Sequence, residues 1–137
     1  MNGDKNVFVV DDDPSVRIGI GRLLRAAGYN VRIFSNANEF IGSLNTEESC
    51  CLILDVRMPG MSIEELVAEM PQMSNTIPII VITTDDDQET RKAAQRINAV
   101  GFFRKPVDGS ALLDVINWAF RSINKEDTIN YHNSEQK

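Results

Sequence analysis

The sequence predicts an α/β protein, a doubly wound (βα)5 sandwich on a five-stranded parallel sheet. Three observations carry that expectation. Five short apolar runs punctuate the chain: NVFVV at 6–10, VRIF at 31–34, CLIL at 51–54, PIIVIT at 78–83 and VGFF at 100–103. The first, third and fourth are continuously apolar rather than alternating, which suits strands covered by helices on both faces. Segments with helical spacing separate the runs, and strict alternation of strand and helix implies right-handed crossovers.

The helices follow in order. Residues 14–27, PSVRIGIGRLLRAA, align Val16, Ile20, Leu23, Leu24 and Ala27 on one stripe, and Gly28 follows where a left-handed C-terminal cap belongs. Residues 36–44, NANEFIGSL, make a weaker second helix, and residues 63–70, IEELVAEM, a short third one stopped by Pro71. Residues 87–98 are polar apart from Ala93, Ala94 and Ile97 and read as a thinly packed surface helix. Asp86 with Glu89 three residues later forms a capping-box-like start for it, a better account of the triplet Asp85-Asp86-Asp87 than a second metal site. Residues 109–122 begin at Gly109-Ser110 and carry Leu112, Leu113, Val115, Ile116 and Phe120. From about Asn124 the chain turns polar without a core pattern, so the expected division is a folded domain over 1–123 and a polar tail or linker start over 124–137.

Composition narrows the function. A chain of 137 residues, 42% hydrophobic and 25% charged, has the size of one domain and can bury a core without staples. Its formal charge of −6 makes direct nucleic-acid contact by this domain unfavourable, because such affinity rests on neutralising phosphates. There is no apolar run near the roughly 18 residues of a membrane span. The start, MNGDKNVFVV, lacks a basic leader, which predicts a cytoplasmic location. Cys50 and Cys51 are adjacent, show no C-x-x-C spacing and read as small buried hydrophobes. The single histidine, His132, lies in the polar tail, which argues against a His/Cys zinc site.

Ligands of such sheets bind beyond the carboxyl ends of the strands, where strand order reverses. The residues there are Asp11, Asp12 and Asp13 after the first strand, Asp55 after the third, Thr83 and Thr84 after the fourth, and Lys105-Pro106 after the fifth. Clustered carboxylates without histidine suit a hard cation such as Mg²⁺. A lysine and a hydroxyl beside them are donors for phosphoryl oxygens, and an aspartate can itself be the nucleophile. Together they make a phosphoryl-transfer site. The three aspartates divide: Asp13 before Pro14 has the form of a helix N-cap, which leaves Asp11 and Asp12 for the metal.

These motifs, VVDDD, LILDVRMPG, IPIIVITT and FFRKP in this order, resemble the receiver domain of bacterial two-component response regulators, over about Asn6 to Ser122. The D-V-R-M-P-G-M stretch is most similar to receivers that precede helix-turn-helix DNA-binding domains. The resemblance implies a flavodoxin-like strand order, 2-1-3-4-5. It implies that Asp55 is the phosphoacceptor, with Mg²⁺ (or Mn²⁺) held by Asp12, Asp11, Asp55 and the backbone carbonyl of Arg57. Thr83 and Lys105 would bind phosphoryl oxygens, Phe102 would turn inward on activation, and the bond before Pro106 would be cis. The implied partner is a sensor histidine kinase. The implied output face comprises the fourth helix, fifth strand and fifth helix, controlling an output such as transcription. Phosphorylation-driven homodimerisation, a stand-alone role and a place in a hybrid kinase all stay open. The transfer is self-directed, so no turnover enzyme is expected.

Some positions depart from the family pattern. Ile63 stands where many relatives have glycine, and Thr84 where Ala or Gly is common. Arg57 and Asp85 each lie two residues beyond a site residue, and their pairing across the mouth would slow loss of the phosphoryl group. Two competing readings use the same topology. A phosphatase of the haloacid dehalogenase kind would use Asp11 and Asp13, but would leave Asp55 without a role. A flavin mononucleotide binder would need a phosphate cradle where the three aspartates stand.

Overall fold

The computed structural model describes residues 5–43, 50–56, 62–69, 77–84 and 87–124. Strands β1 (Asn6–Val10), β2 (Asn30–Phe34), β3 (Cys50–Asp55), β4 (Ile79–Thr83) and β5 (Gly101–Arg104) alternate with helices α1 (Pro14–Ala26), α2 (Ala37–Ser43), α3 (Ile63–Glu69), α4 (Gln88–Arg96) and α5 (Gly109–Asn124). The strands form one sheet in the order β2-β1-β3-β4-β5, all neighbours parallel. The expected doubly wound α/β architecture and its strand order are both present.

Alternate residues of the central strands feed two separate cores. Phe8, Val10, Leu52, Leu54 and Val81 pack with Phe40, Ile63, Leu66 and Ala94 on the face covered by α2, α3 and α4. Val7, Val9, Cys51, Ile53, Ile80 and Ile82 pack with Ile20, Leu24, Leu112, Ile116 and Phe120 on the face covered by α1 and α5. Burial on both faces is why β1, β3 and β4 read as unbroken apolar runs. Edge strand β2 is largely exposed. Both cysteines are buried and neither is in a disulfide, and burial pushes the Cys51 thiol well above its ordinary range, so it packs as an apolar group.

Each helix opens on a side-chain cap that satisfies an otherwise unpaired N–H. Asp13 accepts from Ser15 N at 3.0 Å at the start of α1, and Pro14 takes the first helical position. Asn36 accepts from Glu39 N at 2.9 Å before α2. Ser62 and Glu65 form a reciprocal capping box at α3, with Glu65 N donating to Ser62 Oγ at 3.1 Å and Ser62 N donating to Glu65 Oε1 at 2.9 Å. Asp108 caps α5 by accepting from Ser110 N at 3.0 Å. One expectation is corrected at α4: the cap is Asp87, which accepts from Thr90 N at 2.8 Å, not the Asp86–Glu89 pair. Asp87 wins because its extended backbone sits one residue closer to the first helical turn. Asp86 lies outside the described residues, as do Pro71, His132 and most of the polar tail. Gly28 ends α1 at φ 94°, a left-handed conformation that glycine adopts without steric cost.

Truncating the fully buried Ile80 to Ala should cost about 2–5 kcal/mol of unfolding free energy, since it removes apolar contacts and leaves a cavity between the sheet and α1 and α5. Removing the Asp108 cap by Ala should cost about 1 kcal/mol. Urea unfolding of the two variants tests that ordering.

Candidate functional site

The chain reverses direction across the sheet between β1 and β3, so the crevice opens at their carboxyl ends. Val10 pairs with Leu54, which sets the next residues, Asp11 and Asp55, side by side. Asp11 is fully buried and Asp55 is 3% exposed. Asp11 N donates to Phe34 O at 3.1 Å, extending the β1–β2 ladder to the site. Asp12 is exposed. One carboxylate oxygen from each of Asp11, Asp12 and Asp55 lies within 4.8 Å of the others.

Two buried carboxylates this close require a counter-charge. Lys105 supplies it from the loop after β5, with Nζ 2.8 Å from Asp11 Oδ2 and 3.5 Å from Asp55 Oδ2. Its position is tied to β4 by Lys105 N donating to Thr83 O at 2.8 Å. The Lys105-Pro106 peptide bond is cis. Burial works against the ammonium charge, but the contacts to Asp11 and Asp55 outweigh it and raise the Lys105 pKa above its ordinary 10.5. Thr83, the last residue of β4, is fully buried, and Thr84 beyond it is exposed.

The donor set fits a hard cation. All three candidate ligands are oxygens, and one ammonium does not balance three carboxyl groups. Asp11 Oδ2 is buried and, despite the nearby Lys105, has no aligned hydrogen bond among the described residues, so it keeps capacity for a cation.

Asp13 stands apart from this cluster. Its Oδ1 accepts from Ser15 N and from Ser15 Oγ at 2.8 Å, and those bonds hold its carboxyl below the usual range. It is a helix cap, so the pairing of Asp11 with Asp13 that a dehalogenase-type phosphatase needs is replaced by pairing of Asp11 with Asp55. Phe102 also lies away from the acids. It pairs with Val81 in mid-strand, is half-buried, and carries the Arg91 guanidinium 5.0 Å from its ring centre. Arg57 and Asp85 lie outside the described residues. Sequence reasoning overlooked Arg17, whose Nη1 donates to Asp11 O at 2.7 Å. The available signal was a cation in the first turn of a helix, where the dipole disfavours one.

The family model of the response regulator receiver domain matches residues 7–117. The chain belongs to that family and is a receiver domain of two-component signalling. The transcriptional regulatory protein FixJ of Bradyrhizobium diazoefficiens is 33% identical over 121 residues, covering 88% of this chain and 59% of FixJ. The response regulator protein TodT of Pseudomonas putida is 36% identical over 115 residues, covering 84% of this chain and 51% of TodT. The chain thus spans about half the length of the curated relatives it matches. Among solved structures, response regulator StyR superposes with a TM-score of 0.81 at 38% identity, over 96% of this chain and 67% of that one. FixJ-N gives 0.76 at 30% identity, over 86% and 94%. Receiver domains of response regulators are phosphorylated by sensor kinases. Among the described residues, no helix is long and apolar enough to cross a membrane.

The raised pKa values set the alkaline limit of stability. Burial raises the Tyr29 hydroxyl above 10.0, as the contacts to Asp11 and Asp55 raise Lys105 above 10.5. Both groups hold their protons more tightly when folded, so their contribution is complete below the unfolded values and is lost as pH rises through the folded ones. Unfolding free energy should therefore fall above about pH 10. Tyr29→Phe should flatten part of that fall in urea titrations at increasing pH.

Proposed function

We propose that this domain accepts a phosphoryl group on Asp55 from the phosphohistidine of a sensor histidine kinase. The observation that carries the reading is the buried Asp11–Asp55 pair bridged by Lys105, with Asp12 completing a three-carboxylate oxygen cluster. Asp12, Asp11, Asp55 and the backbone carbonyl of Arg57 would hold Mg²⁺ (or Mn²⁺), which when bound neutralises charge between the acceptor and the incoming phosphoryl group. An oxygen of Asp55 attacks phosphorus, the phosphorus–nitrogen bond breaks, and its electron pair leaves with the imidazole. Lys105 and the Thr83 hydroxyl bind phosphoryl oxygens, replacing the Lys105–Asp55 contact of the unmodified state.

The same aspartate carries the group and loses it to water, so the domain acts as a carrier and not as a turnover enzyme. Arg57, Thr84 and Asp85 modulate water access at the mouth. Phosphorylation adds about −1.5 to −2 charge, enough to bias a bistable loop. The change passes through Thr83 and Phe102 to the face of α4, β5 and α5, which controls an output. Transcription is the output favoured by similarity to relatives such as the transcriptional regulatory protein FixJ. Homodimerisation through that face on phosphorylation belongs to the same reading. The receiver occupies 1–123, with 124–137 as a tail or linker start, and works in the cytoplasm without touching nucleic acid or membrane itself.

Incubation with acetyl phosphate and Mg²⁺ should yield a protein phosphorylated on Asp55 by mass spectrometry, with the product absent in Asp55→Asn. Modification of Asp11 instead would favour the phosphatase reading. Asp12→Asn should weaken Mg²⁺ binding roughly tenfold or more, while Asp13→Asn leaves it nearly unchanged. Arg57→Ala or Asp85→Ala should shorten the phosphoryl half-life, and no change in either would remove them from the modulator role.

A further inference from the structure

Asp11 has a close polar neighbour at each of its polar positions, hydrogen-bonded at three of them. Its N–H donates to Phe34 O at 3.1 Å, its Oδ1 accepts from Asp13 N at 2.9 Å, and its Oδ2 faces Lys105 Nζ at 2.8 Å. The fourth position, the main-chain carbonyl, accepts from Arg17 Nη1 at 2.7 Å. That carbonyl belongs to the planar peptide joining Asp11 to Asp12, so whatever fixes its direction also fixes where the Asp12 side chain departs. Asp11 is buried among strong partners, whereas Asp12 is exposed on a loop. The orientation of this one peptide therefore governs the spacing of the two carboxylates.

Arg17 is placed against its local preference. It stands in the first turn of α1, four residues after the cap, where Arg17 N donates to Asp13 O at 3.1 Å. The positive end of the helix dipole disfavours a cation there, and the Asp13 cap is the one acid at that helix start among the described residues. Its side chain is half-buried, turned back over the end of β1.

We infer that Arg17 is a positioning residue for the divalent-cation site, fixing the Asp11–Asp12 peptide so that both carboxylates converge with Asp55. The inference rests on the metal-dependent reading of that site. Charge and positioning predict opposite signs. If Arg17 acted only as a nearby positive charge, removing it would tighten cation binding. If it orients the peptide, removing it weakens binding, as loss of outer-shell partners does elsewhere.

Calorimetric titration of the full chain with Mg²⁺ alone separates these outcomes, with folding of each variant checked by circular dichroism. Arg17→Ala should raise the Mg²⁺ dissociation constant roughly tenfold. In the acetyl phosphate reaction its half-saturating Mg²⁺ concentration should rise by more than its rate at saturating Mg²⁺ falls. Arg17→Lys keeps the charge but not the planar fork, and should shift the constant in the same direction. A purely structural role would lower thermal stability and leave the dissociation constant of the folded protein in place. An unchanged or tighter constant in Arg17→Ala overturns the inference, and Arg17→Lys decides if the alanine variant does not fold. Failure of the unaltered chain to bind Mg²⁺ would overturn the proposed function itself, a result distinct from normal binding in both.

Discussion

The ammonium of Lys105 between Asp11 and Asp55 is the interaction on which the site depends. Two carboxylates at the ends of adjacent buried strands repel, and burial removes the water that would screen them. A cation from the far edge of the sheet relieves that conflict. The lysine is held in turn by its own backbone bond to Thr83, so the loop after β5, the end of β4 and the acids of β1 and β3 form one connected unit. A new charge on Asp55, as proposed above, would redistribute the contacts of Lys105. That would be the physical opening through which modification reaches the rest of the domain.

The sheet makes this possible by dividing its side chains between two cores. Phe8, Leu52 and Leu54 anchor β1 and β3 to α2, α3 and α4, while Val7, Val9 and Ile53 anchor the same strands to α1 and α5. Strands gripped from both sides present their terminal acids with little freedom. α1 adds a second constraint at the same point: Asp13 caps its first turn, and Arg17 returns from that turn to the carbonyl of Asp11. One short loop thus links the helix start to the geometry of the acidic pair.

The side formed by α4, β5 and α5 is built differently. β5 is only half-buried, and α4 contributes mainly Thr90 and Ala94 to the interior. Phe102 is packed against the core from this thin layer and covered by Arg91. Weaker packing there, beside the tight packing around β1 and β3, would suit the proposed output face, which shifts while the site stays in place.

Much of this was legible in the residues. Unbroken apolar runs with helical spacing between them determined the sandwich, because strands buried on both faces have no polar side to show. Asp13-Pro14 determined a helix start, and the acids, hydroxyl and lysine at the strand ends marked one rim. The strand order came from the family resemblance and not from periodicity, since alternation alone does not say which strands are neighbours. Only the tertiary structure decided that Asp87 caps α4, because neighbouring aspartates offer the same chemistry and the cap is set by where the helix begins. Only it decided that Lys105 touches Asp11 more closely than Asp55, and that Arg17 reaches the Asp11 carbonyl. Those contacts join residues from different elements at distances of an ångström's significance, and a linear pattern of residue types carries no such distances.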